Sequence, residues 1–302
     1  MPTELPSWPE VRALVARELG EPVTGGRPLT PARPSMTWAA SAAGAGAVVV
    51  KVRAADEGRT AGKARWAASH LPVLAERGYP VPVTWWHGPA GAGWYVTVQA
   101  RLAGRPLRAA EGRLVDAVAE LVELQAGVAG GVDGDRDFTG YVANVLFDDW
   151  DEVWADAPRA CPAAGPLCGR LRRWLEPVWG LRLAPADYAH NDLNLSNILT
   201  DGAAITGVVD WDEFGLGSRA LDLVALAVDS QRDGNPAAAG RLLTRAGRVA
   251  GGDGLRGLVS YRAIALLAHT ARYRAGYRDG LAEAECAAIS AILDRLQRAC
   301  QG

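Results

Sequence analysis

A change of period along the chain constrains its fold more than any other feature. Up to about residue 102 the apolar residues come in short runs: MTWAASA and VVVKVR around the turn-forming AGAG at 43–46, PVPVTWW at 80–86, and WYVTVQARL at 94–102. Runs of this length bounded by Gly and Pro read as strands, with PVPVTWW as an extended entry. Helical patterns interrupt them at 7–19, where Ser7 is placed as N-cap with Pro9 in the first turn, and at 60–77. From 113 the spacing turns helical, with Leu114, Val118, Leu121, Val122 and Gln125 on one stripe. GRLRRWLEPVWG from 169 repeats the pattern, and from Ser218 most windows are helical, with glycine breaks near 233 and 251–257. The expectation is an α+β chain: a small antiparallel β-rich lobe over residues 1–99 and a larger, mainly helical lobe over residues 100–302, connected through Gln99 to Gly104.

The 302 residues are 49% hydrophobic, enough for a substantial core. A net charge of −2 argues against general affinity for nucleic acid or for an anionic membrane. No apolar run approaches membrane-spanning length and the N-terminus has no basic, then apolar, leader, so a cytoplasmic location is expected. Cys161, Cys168, Cys286 and Cys300 lack CxxC spacing and histidine neighbours, which reads as isolated thiols rather than a metal site or disulfide framework. Positive charge is carried almost wholly by arginine; Lys51 and Lys63 are the only lysines. A compact ammonium and a planar guanidinium are not interchangeable, so each lysine is a candidate for a specific task.

Two segments break the helical region with short apolar runs that end in acids and amides: YAHNDLNLSNIL at 188–199 and ITGVVDWDEFG at 205–215. Taken alone, His190, Asn191 and Asp192 also suit a turn with hydrogen-bonding side chains. In context, two carboxylates and an amide suit a site that holds Mg²⁺ and positions a hydroxyl. Magnesium takes oxygen ligands and is held by one or two protein groups, with phosphates and water completing its shell. Asn197 and Asp210 are the candidate metal ligands. Asp192 is the candidate base, orienting a hydroxyl and taking its proton late in the transfer.

HNDLNLSN followed by VVDWDEFGLGSRALDL resembles the H-x-D-x4-N and downstream aspartate motifs of the aminoglycoside phosphotransferase family, a branch of the protein-kinase-like fold. The resemblance implies the two-lobe kinase-like architecture, with Asp192 catalytic and Asn197 and Asp210 on magnesium. His190 would brace the loop, and Asp222, in ALDL, would hydrogen-bond to it. Lys51 would contact the phosphates of ATP or GTP from the third strand. No G-x-G-x-x-G precedes that strand, so Ser35 and Thr37 are the phosphate-loop candidates, with Gln99 and Arg101 along the connection that meets the base. The glutamate that would pair with Lys51 is not evident: Glu57 lies early, and TAGKARWAASHL has no acid where one is expected.

For the acceptor, two acidic groups stand out: Asp212 and Glu213 after the metal aspartate, and Asp148, Asp149, Asp151 and Glu152 in FDDWDEVWADAP, with Trp150 and Trp154 among them. Carboxylates beside aromatics suit a cationic acceptor, an aminoglycoside or a basic peptide. The Asp-Trp-Asp-Glu turn is also similar to that of kinases that inactivate viomycin-like peptides. The leading expectation is therefore a kinase conferring antibiotic resistance. The alternatives are a small-metabolite kinase of choline, homoserine or sugar type, and a nucleotide-binding pseudokinase.

Overall fold

The computed structural model describes residues 6–30, 35–56, 58–91, 93–109, 111–129, 136–149, 152–273 and 280–299. The chain forms two compact units, residues 1–105 with 199–213, and residues 106–198 with 214–302.

The first unit is built on a five-stranded sheet of β1 (Val23–Thr30), β2 (Ser35–Ala42), β3 (Gly46–Ala54), β4 (Thr84–Pro89) and β5 (Trp94–Ala100), in the order β1-β2-β3-β5-β4. All neighbouring pairs are antiparallel. Alternation along β3 separates its faces: Val48, Val50 and Val52 are fully buried, whereas Lys51 and Arg53 lie opposite. Helix α1 (Trp8–Leu19) covers the apolar face, and Val11 and Val15 join Trp38, Val96 and Val98 in one core cluster. Each valine so buried contributes about 1.5–3 kcal/mol. The start of α1 follows the capping logic of its sequence, since the Ser7 amide donates to the Glu10 carboxylate at 2.7 Å. Helix α2 (Arg59–Glu76) lies along β4 and β5.

Strand β1 is one element that the apolar pattern misses. VTGGRPLT carries two glycines and a proline, yet it pairs with β2 through register shifts at Gly25/Arg27 and Pro28/Thr30. Gly26, at φ 123°, lies so close to the Trp8 indole that a Cβ there would overlap the ring. The glycines therefore let an edge strand pass under α1.

The chain leaves this unit at the short strand β6 (Arg105–Pro106) and continues into helices α3 (Gly112–Glu123), α4 (Phe138–Phe147), α5 (Val153–Asp156) and α6 (Ala164–Leu175). Strand β7 (Asp187–Ala189) delivers the HNDLNLSN segment, and the chain returns to the first unit within β8 (Ile198–Thr200), with β9 (Ile205–Val208) following. Strand β10 (Gly215–Gly217), back in the second unit, pairs antiparallel with β7. Then come α7 (Arg219–Arg232), α8 (Pro236–Tyr273) and α9 (Leu281–Ala299). The expected glycine breaks are present: Gly234 at φ 87° follows α7, and Gly251 at φ 71° kinks α8. Every residue of α7 from Ala220 to Ser230 is buried, which makes it the central helix of the unit. Among the described residues, no helix is long and apolar enough to cross a membrane.

Candidate active site

The loop after β7 hangs on α7. Asp222, in the first turn of that helix and fully buried, accepts the backbone N–H of His190 and of Asn191, each at 2.9 Å, and the Gln125 amide at 3.0 Å. Two turns on, Asp229 accepts the N–H of Leu195 at 3.0 Å and pairs with Arg232 at 3.1 Å. Two acids seven positions apart share a helix face, so α7 fixes both ends of the segment. His190 is fully buried beside Asp222. Burial pushes the Asp222 carboxyl above its ordinary value, although the nearby His190 charge, the loop amides and Gln125 pull the other way.

The asparagines in this segment shape it. Asn191, at φ 66°, donates to the Ala189 carbonyl at 3.2 Å, and a Cβ on Gly217 would come within 2.7 Å of its Oδ1, so β10 needs a glycine there. Asn194 caps the following turn, accepting from the Ser196 amide at 3.1 Å and donating to the Asp192 carbonyl at 3.2 Å. Asn197 is buried and donates its Nδ2 to the same carbonyl at 3.1 Å. With Nδ2 donating, the amide oxygen is the atom of Asn197 that could serve a hard cation.

Asp192 itself is half exposed, and its Oδ1 accepts from Nη1 of Arg262 on α8 at 3.2 Å. Sequence reasoning missed Arg262, because one arginine in an arginine-rich helix carries no local signal. Its Nε is buried without a hydrogen-bond partner among the described residues. Burial opposes its charge, but Asp192 and Asp229 outweigh burial and hold the guanidinium above its ordinary value.

In the first unit, an open cleft on the polar face of the sheet is lined by Lys51, Arg53, Lys63, Thr97, Gln99 and Asp212, among others. Cross-strand pairing explains the grouping, since Lys51 stands opposite Thr37 on β2 and Thr97 on β5, and all three share a face. Gln99 is tied to Thr84 at 3.3 Å. Arg101 is exposed and bonds to Ala47 through its backbone amide at 2.9 Å; it does not line the cleft. Ser35 faces Arg53 in register, while its side chain lies outside the described residues, as do the side chains of Glu57, Trp150 and Asp151.

Residues 199–213 bring the Asp-Trp-Asp-Glu turn to this cleft. Val208 bonds to the Pro80 carbonyl at 2.8 Å, and the buried Trp211 ring meets Tyr79 edge-on at 5.5 Å. Asp210, at φ 66°, is thereby aimed at Lys51, whose Nζ lies 2.5 Å from Oδ1. The two further acids of the turn, read from sequence as acceptor ligands, have partners within this unit: Asp212 pairs with Arg53, and Glu213 with Lys63 on α2. Lys51 thus meets a carboxylate from the returning segment and not from α2. Asp210, like Asn197, presents a hard oxygen donor. Among the described residues, no three His, Cys, Asp or Glu side chains are grouped to hold a metal.

The other acidic run is only partly available. Asp149 caps α5 by accepting the Trp154 amide at 2.7 Å, and the buried Asp156 pairs with Arg272 and Arg159. Trp154 is core: its ring is buried, its Nε1 donates to Leu146 at 3.1 Å, and Arg172 stacks over it at 4.7 Å. Asp148 and Glu152 remain exposed. Cys161, Cys168 and Cys286 are free and buried, with Sγ of Cys161 and Cys286 3.4 Å apart. Burial pushes the Cys168 thiol up to about 11, so it is no nucleophile at neutral pH.

An antiparallel sheet presenting a lone strand lysine to an acidic turn, and a helical unit that suspends an H-x-D-x4-N loop from an acid-bearing helix, define a phosphotransferase of protein-kinase-like fold. Solved structures share that fold. Aminoglycoside phosphotransferase APH(4)-Ia, in a ternary complex with ADP and hygromycin B, matches at TM-score 0.66 and 18% identity, over 93% of this chain and 97% of the other. APH(3'')-Id from Streptomyces rimosus matches at 0.59 and 18%, over 86% and 99%. A protein described as a fructosamine-3-kinase from Thermobifida fusca matches at 0.56 and 20%, over 93% and 98%. A comparison with curated proteins finds no match. The model of the phosphotransferase enzyme family, APH, matches residues 33–258, and the chain belongs to that family. It is an enzyme that transfers phosphoryl groups to hydroxyls.

Proposed function

We propose that this phosphotransferase moves the γ-phosphoryl group of a nucleoside triphosphate, ATP or GTP, onto a hydroxyl of a small cationic natural product, with antibiotic inactivation as the outcome. The observation that carries the reading is the Lys51–Asp210 pair, 2.5 Å apart although 159 residues separate them in sequence. A strand lysine is a point charge suited to phosphate, and competition from phosphate oxygens for its ammonium would free the Asp210 carboxylate for Mg²⁺. Asp210 and the amide oxygen of Asn197 would hold that ion, which when bound neutralises charge on the phosphates.

Asp192 is the group that orients the acceptor hydroxyl. Arg262 occupies its Oδ1, so Oδ2 is left to accept the hydroxyl hydrogen bond and, late in transfer, the proton. Gln99, in the cleft with Lys51, would meet the nucleotide, as would Thr37, opposite Lys51 on β2; Ser35, in register with Arg53, is the further phosphate-loop candidate. His190 and Asp222 brace the loop. On the acceptor side, Asp148 and Glu152 are exposed carboxylates that a cation could meet, and the APH(4)-Ia complex with hygromycin B supports an antibiotic acceptor. The second reading is a metabolite kinase acting on an amino sugar, which the fructosamine-3-kinase neighbour favours.

Incubation of the protein with Mg-ATP or Mg-GTP and a panel of aminoglycosides, basic peptide antibiotics, choline, homoserine and sugars, followed by mass spectrometry, tests the choice. Addition of one phosphoryl group to a cationic antibiotic is the expected result. Modification of a neutral metabolite alone would overturn the acceptor assignment, and nucleotide binding with no transfer to any acceptor would favour a scaffold.

A further inference from the structure

The chain contains two lysines, and both line the same cleft. Lys51 has the expected place on β3, but its neighbour is Asp210. Lys63, one turn into α2, turns towards the same Asp-Trp-Asp-Glu segment and pairs with Glu213. Together with Arg53 and Asp212, three cations meet the three carboxylates of the turn: Lys51 with Asp210, Arg53 with Asp212, and Lys63 with Glu213. The buried Trp211 pins the middle of the turn.

We propose that Lys63 and Glu213 form a positioning clamp that ties α2 to the metal-acid turn and so fixes Asp210, and that Lys63 does not serve as a phosphate ligand. This rests on the reading of Asp210 as a magnesium ligand. Polarity carries the argument. A helix acid would hold the strand lysine; here the helix supplies the cation and the turn supplies the acid, so α2 acts on Asp210 from the far end of its own turn. Arg53 holds the middle, leaving Lys51 as the cation of the three on the metal carboxylate itself at hydrogen-bond distance. Lys63 and Glu213 are both partly exposed, at 25% and 40%, so breaking the pair leaves the fold intact and the variants can be assayed.

The test is a charge exchange: Lys63→Glu, Glu213→Lys and the double variant, each compared with wild type. Mn²⁺ binding to the protein–ADP or protein–GDP complex is followed by electron paramagnetic resonance, and metal-free nucleotide affinity by calorimetry. Each single variant is expected to weaken Mn²⁺ binding about tenfold, the loss typical when a group supporting a metal ligand is removed, with metal-free nucleotide affinity little changed. The double variant restores Mn²⁺ binding. If Lys63→Met lowers metal-free nucleotide affinity as much as Lys51→Met does, and the exchange restores nothing, Lys63 is a phosphate ligand and the clamp is refuted. Asp210→Asn separates the two readings: unchanged Mn²⁺ binding in that variant would remove the metal role of Asp210 itself.

Discussion

Arg262 donates from α8 to Asp192 across 70 positions of sequence, and it limits what the aspartate can do. With one carboxylate oxygen committed to a buried guanidinium, the side chain is restrained and, in the proposed reaction, a single oxygen would face the acceptor. A displacement of about 1 Å at a reacting group costs roughly 10²-fold in rate. Arg262→Met is therefore expected to lower kcat by roughly that factor, with the acceptor KM close to wild type, and Arg262→Lys to recover part of it. Steady-state kinetics distinguish this from a packing role, in which both variants would lose thermal stability and leave kcat of the folded fraction unchanged. No local pattern pointed to Arg262 or to the Lys63–Glu213 pair, because partners 70 and 150 residues apart are joined only by the fold.

Among the elements, α7 carries the loop, and its acids are the most exacting part of the design. Replacing Asp222 by Asn leaves one acceptor oxygen where the carboxyl has two, so a buried loop N–H loses its acceptor, at a cost of about 2 kcal/mol. Burial raises the Asp222 carboxyl, so it binds a proton more readily folded than unfolded. Its contribution to stability is complete below the ordinary carboxylate range, about pH 4, and is lost as pH rises through the folded value. The stability gap between wild type and Asp222→Asn, from urea unfolding, should narrow as pH rises from about 4; a widening gap would contradict the raised value. Asp222 was legible because ALDL belongs to a motif, whereas Asp229 looked like any helix acid. Helix α4 was missed for a different reason: FTGYVANVLF is apolar almost all round, so it shows no stripe, and only Asp137, whose Oδ1 accepts the Thr139 amide at 2.9 Å, marks its start.

At the scale of the whole molecule, the α+β character and the kinase-like fold were legible from the change of period and from the motifs in 188–223, since short strand runs and helical stripes are local signals. The return of residues 199–213 to the first unit was not, because strand pairing and the Trp211–Tyr79 contact are made at long range. That return gives Asp212 and Glu213 cationic partners and takes them out of the simplest acceptor argument. Assigning Asp192 the acceptor hydroxyl, and Lys51 with Asp210 the phosphates and metal, predicts that chemistry and nucleotide binding can be separated by one atom exchange. The direct measurement is phosphoryl transfer by Asp192→Asn beside calorimetric nucleotide binding. The account predicts that transfer is abolished while nucleotide affinity stays within about twofold of wild type, since the amide keeps the shape but cannot take the proton. Transfer retained near the wild-type rate would contradict it.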